Sequence, residues 1–127
     1  MKERRLHRSG SQFEREIGFA RAVRIGGVIE VSGTAPIGDD GQTVGDNAYE
    51  QTRRCFEIAV EALRALGSAP IDVVRTRMYL VDAADWPEVG RAHRELFADI
   101  APVATMVVVK ELLDPAWRVE IELQARV

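Results

Sequence analysis

The chain has 127 residues, enough for one domain around a single core, and its 46% hydrophobic and 29% charged content is that of an ordinary folded protein. A net charge of −3 sets no partner by itself, and the chain shows no basic stripe interleaved with aromatics of the kind a nucleic-acid backbone requires. The longest apolar run is Met106 to Val109, no apolar segment follows the basic start M-K-E-R-R-L-H-R-S-G, and the single Cys55 cannot form an internal disulfide, so a cytoplasmic setting is expected.

In chain order, one or two strands precede a clear one at residues 28 to 32. There Ile29 and Val31 alternate with Val28, Glu30 and Ser32, before Gly33 and a turn-rich segment, P-I-G-D-D-G-Q-T-V-G-D-N. Asn47 opens a helix as its N-cap, with Glu50 at capping-box spacing and Gly67 as the stop. Thr52, Cys55, Phe56, Ala59, Leu63 and Leu66 recur at helical spacing and form the expected buried stripe, while Arg53, Glu57, Glu61 and Arg64 mark another face. In that stripe Cys55 reads as a packed residue rather than a nucleophile.

Val73 to Val81 reads as the next strand, with Val74, Thr76, Met78 and Leu80 on one side and Val73, Arg75, Arg77, Tyr79 and Val81 on the other. Asp85 is the expected cap of a second helix with Pro87 in its first turn, Glu88 three residues on, and Trp86, Val89, Ala92, Leu96 and Phe97 as its buried stripe. Two strands finish the chain: the run P-V-A-T-M-V-V-V-K from Pro102, and R-V-E-I-E-L-Q-A-R-V from Arg118. This order predicts a single α+β domain over residues 1–127, a mixed sheet with two helices on one face.

In the last strand Val119, Ile121, Leu123 and Ala125 alternate with Arg118, Glu120, Glu122, Gln124 and Arg126. The polar set fits a solvated sheet face, or a subunit interface in which Glu30, Arg75, Arg77, Arg118 and Glu120 pair across protomers. Of the small candidates, Ser32 and Gly33 end a strand, Phe19 and Met106 fit packing positions, and His7 and His93 lack a second ligand at metal spacing. Gly18, Gly26 and Gly27 make no dinucleotide or phosphate loop, so neither a metal nor a cofactor is implied.

Four short pieces, V-S-G at Val31 to Gly33, Q-T-R-R at Gln51 to Arg54, D-V-V-R-T from Asp72 and V-E-I-E at Val119 to Glu122, together resemble the RidA/YjgF family from about Ile17 to the C-terminus. The resemblance implies a chorismate-mutase-like homotrimer with a small-molecule site in each cleft between subunits. It implies hydrolysis of reactive imines or enamines, with Glu120 positioning the water and the Gly33 backbone N–H, beside Ser32, holding the substrate. Phe19, Ala104, Thr105 and Met106 fall on further substrate-binding positions. Catalytic relatives carry arginine where this chain has Ala104, cysteine at Met106, tyrosine at Phe19 and asparagine at Gly90.

The arginine grips the substrate carboxylate, so its replacement by Ala104 implies an altered substrate, or a cation from Arg21, Arg24, Arg75, Arg77 or Lys110 in its place. A more apolar cleft suits a neutral or larger hydrophobic ligand. The implied function is a deaminating hydrolase of a small metabolite, the alternative being a non-catalytic metabolite-binding trimer. The ribonuclease or translation-inhibitor role of some relatives has the acidic composition against it.

Overall fold

The alternating C-terminal run becomes β6 (Val119–Arg126), a strand in the interior of a six-stranded sheet, because its apolar half needs cover on one face only. The computed structural model describes residues 2–127. The elements before β6 are β1 (Arg4–His7), α1 (Gln12–Ile17), β2 (Ala22–Ile25), β3 (Val28–Thr34), α2 (Ala48–Ala65), β4 (Val73–Leu80), α3 (Trp86–Phe97) and β5 (Val103–Val108). Strand order is β1-β2-β3-β6-β4-β5, with β4 and β5 parallel and every other pair antiparallel. The parallel pair needs a crossover, which α3 supplies.

The fold is therefore the expected α+β arrangement, with both N-terminal strands formed and one short helix, α1, in addition to the expected elements. The core lies between the sheet and the helix pair α2 and α3. Ile29, Val31, Leu80, Val119, Ile121 and Leu123 from the strands meet Cys55, Phe56, Ala59, Leu63, Val89 and Phe97 from the helices, none more than 3% exposed. Phe56 meets Phe97 edge to face at 5.3 Å between ring centres, and His93 fills the gap beside them with Nε2 2.8 Å from Thr76 Oγ1. Burial lowers the pKa of that imidazole and pushes the Cys55 thiol well up, which fits packing roles for both.

Helix α2 begins and ends where its residues dictate. Asn47 Oδ1 accepts from the Glu50 N–H at 2.8 Å, and the Glu50 carboxylate returns to the Asp46 N–H at 2.8 Å. Gly67, at φ +81°, lets the chain turn so that the Ser68 N–H reaches the Leu63 carbonyl at 2.9 Å.

Four expectations are corrected. Asp85 does not cap α3 with its side chain: a 3-10 turn at Ala83–Asp85, capped by Asp82, leads into the helix, and the buried Asp85 pairs with Arg118 at 3.3 Å. Glu88 likewise serves α2, accepting from the Ala48 N–H at 3.2 Å. Trp86 is 62% exposed and lies outside the buried stripe. Val73 and Val74 exchange faces, since a register shift between Val73 and Arg75 turns Val73 inward and leaves Val74 outside.

Candidate functional site

Strand β3 carries a second irregularity, and it builds the site. Val31 lies opposite Leu123 and Thr34 opposite Ile121, so three steps along β3 match two along β6. The extra residue sends Thr34 into the core at 1% exposure and leaves Ser32 and Gly33 half-buried in the wall of a cavity of about 940 Å³. Glu120, at the start of β6, faces Gly33 so closely that a Cβ there would lie 2.9 Å from Glu120 Oε2. A side chain at Gly33 would push the carboxylate from this position.

Arg21, 5% exposed at the entry to β2, ties these pieces together. Its guanidinium donates to the Gly33 carbonyl, to Ser32 Oγ at 3.2 Å and to Thr34 Oγ1 at 3.1 Å, and pairs with Glu14 at 3.3 Å. Glu14 accepts from the Ser9 N–H at 3.0 Å and from the Ser9 hydroxyl, which anchors α1 and the preceding turn beside the cavity. Burial pushes the Glu14 carboxyl up, but the Ser9 hydrogen bonds and the Arg21 charge outweigh it and leave the pKa lowered. Neither Glu14 nor α1 was anticipated, although S-Q-F-E at Ser11 to Glu14 has capping-box spacing and Gly18 follows as a stop. The box forms only in part: Ser11 caps α1 by accepting from the Phe13 N–H at 3.2 Å, while Glu14 turns to Ser9 and Arg21.

Burial raises the pKa of Glu120 above the usual 4.5; Arg21 opposes the shift and Glu122 adds to it. The result is a carboxylate more basic than an exposed one, suited to taking a proton from water. The remaining walls are mixed: Phe13, Phe19 and Trp117 are among the lining residues, and so are the acids Asp39, Asp40 and Glu61. Trp117 meets Phe13 edge to face at 5.7 Å. Its loop is pinned to α2 by buried Gln51, which donates to the Ala116 carbonyl at 3.0 Å and accepts from the Arg118 N–H at 2.7 Å. Arg54, on α2, also borders the cavity and donates through Nε to the Ile37 carbonyl at 2.8 Å.

Four of the residues singled out from sequence, Phe19, Ser32, Gly33 and Glu120, thus line one cavity. Ala104, Thr105 and Met106 do not join them within the chain. They lie on the edge strand β5, separated from β6 by β4. Ala104 and Met106 pair with Thr76 and Met78 on the helix-facing side, and Thr105 pairs with Arg77 on the other. Of the cations considered, only Arg21 lines the cavity. Arg24 is bonded to the Gly26 and Leu66 carbonyls, and Arg77 lies 3.8 Å from Glu122. Among the described residues no three His, Cys, Asp or Glu side chains are grouped to hold a metal ion, and no helix is long and apolar enough to cross a membrane.

A mixed six-stranded sheet backed by two helices, with a bulge and an acidic side chain opening onto a cavity, defines a small α+β protein of the YjgF fold class. The family model described as Endoribonuclease L-PSP matches residues 10–127, and the chain belongs to that family. It is 41% identical over 117 residues to an uncharacterised protein of Streptomyces coelicolor, covering 92% of this chain and 87% of the relative. Rv2704 of Mycobacterium tuberculosis, described as a member of the highly conserved YjgF/YER057c/UK114 family, has a structure similar at a TM-score of 0.91 and 42% identity, covering 98% of this chain and 100% of that one. The 3-aminoacrylate deaminase RutC of Acinetobacter baylyi is 30% identical over 111 residues, 86% of each chain.

Proposed function

We propose that this chain is a hydrolase of imines or enamines derived from a small metabolite, and the observation that carries the proposal is the Glu120 carboxylate held half-buried against Gly33 in the cavity wall. Glu120 takes a proton from a water as the oxygen attacks the imine carbon. That proton passes on to the imine nitrogen to give a neutral carbinolamine, and the carbinolamine's hydroxyl proton then goes to the same nitrogen as the C–N bond breaks, so an imine and one water become a carbonyl compound and ammonia. The Gly33 backbone N–H holds an acceptor atom of the substrate. Arg21 acts at one remove, by fixing the carbonyl of the same residue. Orientation and a positioned base suffice for an electrophile this reactive.

The working unit in this reading is a homotrimer with its sites between subunits. Val103, Val107 and Val108 on β5 are 56%, 41% and 54% exposed, and an uncovered apolar edge strand invites a partner. A neighbour's β5 would also bring Ala104 to Met106 to the cavity that their own chain keeps from them. The alternative, a metabolite-binding trimer without turnover, is favoured by one observation: Ala104 offers no charge to a carboxylate.

The test is release of ammonia and keto acid from a panel of imines generated in situ from amino acids. The expected result is acceleration that falls about a hundredfold or more in Glu120→Ala, the scale of a lost general base. Acceleration unchanged in that variant would remove Glu120 from the chemistry. No acceleration with any imine would leave the binding reading in its place.

A further inference from the structure

Two arginines with largely buried or half-buried side chains line the cavity, and their donors are spent differently. Arg21 is saturated, with Ser32, Gly33, Thr34 and Glu14 taking its terminal nitrogens. It could grip a ligand only by releasing the bulge. Arg54, with its side chain 22% exposed, has one hydrogen bond among the described residues, from Nε to the Ile37 carbonyl. That bond fixes the plane of the guanidinium and leaves both terminal nitrogens without a hydrogen-bond acceptor.

What approaches those nitrogens is weak. Asp39 and Glu57 lie at 3.5 Å, too long for charge-assisted hydrogen bonds, and both acids are exposed to water. Solvated ion pairs of this kind contribute little. A carboxylate inside the cavity could make two short parallel hydrogen bonds to the same edge, where Asp39 and Glu57 make only longer contacts, and would displace them. Ile58, one turn further along α2, offers apolar wall beside that edge, and Glu120 borders the same cavity.

We propose that Arg54 is the specificity-determining residue of the site and binds a carboxylate at one end of a small organic ligand. The assignment deepens the hydrolase reading and rests on it for the chemistry at the other end, where Glu120 acts. It keeps anionic metabolites as ligands of a chain whose β5 has alanine at position 104. Arg54 was not among the cations considered from sequence, because its neighbour Arg53 is equally charged and only the fold separates them: Arg53 lies outside this cavity, with its guanidinium over Tyr49.

The experiment is calorimetric or NMR titration of the intact protein with pyruvate, a small carboxylate, and with methyl pyruvate, its neutral ester. Arg54→Gln should weaken pyruvate binding about tenfold or more, the effect of losing hydrogen bonds to a charged group. Arg54→Lys should recover part of it, and Arg53→Gln, with the same change in charge, should leave it intact. Methyl pyruvate should bind weakly and respond to none of them. Wild type binding pyruvate no better than the ester, or Arg54→Gln behaving like Arg53→Gln, overturns the assignment; if Arg54→Gln is misfolded by circular dichroism, full pyruvate affinity in Arg54→Lys overturns it equally. Imine turnover is read separately. Pyruvate binding that depends on Arg54 alongside turnover indifferent to Glu120→Gln would sink the hydrolase reading alone, and the converse would sink the Arg54 assignment alone.

Discussion

Gly33 and Glu120 constrain each other: the carboxylate occupies the space a side chain at Gly33 would need, and burial there raises its pKa above 4.5. A carboxyl whose folded pKa is raised contributes stability that is full below 4.5 and is lost as pH rises through the folded value. Glu120→Gln, which carries no charge at any pH, is therefore expected to raise the Tm at neutral pH while abolishing turnover. The gain should vanish below pH 4.5, and thermal melts of the two proteins at both pH values check it. As a base Glu120 acts only when ionised, so the rate should fall as pH drops through that same raised value. A destabilising group kept at the site for its chemistry would show the usual opposition of stability and activity.

At the scale of elements, α1 depends on one ion pair. Its six residues are too few to be stable alone, and buried Glu14 is its anchor to Arg21 and Ser9. Glu14→Gln leaves the Arg21 guanidinium, 5% exposed, with its Ser32, Gly33 and Thr34 acceptors but without its paired carboxylate, and breaking a buried pair from one side costs about 3 kcal/mol. The expected outcome is that loss in urea unfolding, together with faster proteolysis within residues 8–18. The lowered pKa of Glu14 gives the opposite pH sign to Glu120: its stabilisation is present above 4.5 and is lost as pH falls through the folded value. Helix α2 contrasts with α1. Its 18 residues carry their own signals, a cap at Asn47 and a stop at Gly67, and were legible for that reason.

At the scale of the whole molecule, the exposed edge of the sheet bears on assembly. Edge strand β5 is exposed along most of its length, and the substrate-binding positions it carries lie two strands from Glu120. If the sites lie between subunits, light scattering should give three times the 14.1 kDa chain mass. Val107→Glu, a charge placed on the exposed edge, should lower that mass to the monomer and abolish turnover together. A wild-type mass of 14.1 kDa would confine the site to one chain and remove Ala104 to Met106 from it.

Local periodicity in the chain specifies the elements and their buried faces wherever it is present. Alternation at Val119, Ile121, Leu123 and Ala125, the stripe from Thr52 to Leu66, and the cap and stop of α2 all follow from which side chains must leave water. Tertiary structure decided the rest. The bulge at Ser32 and Gly33, the exchange of Val73 and Val74, and the turn of Glu88 to another helix depend on partners far along the chain, which no local period encodes. The cavity belongs to this second kind, because the donors of Arg21 and the unclaimed edge of Arg54 are set by which distant carbonyls and carboxylates packing brings within hydrogen-bond reach.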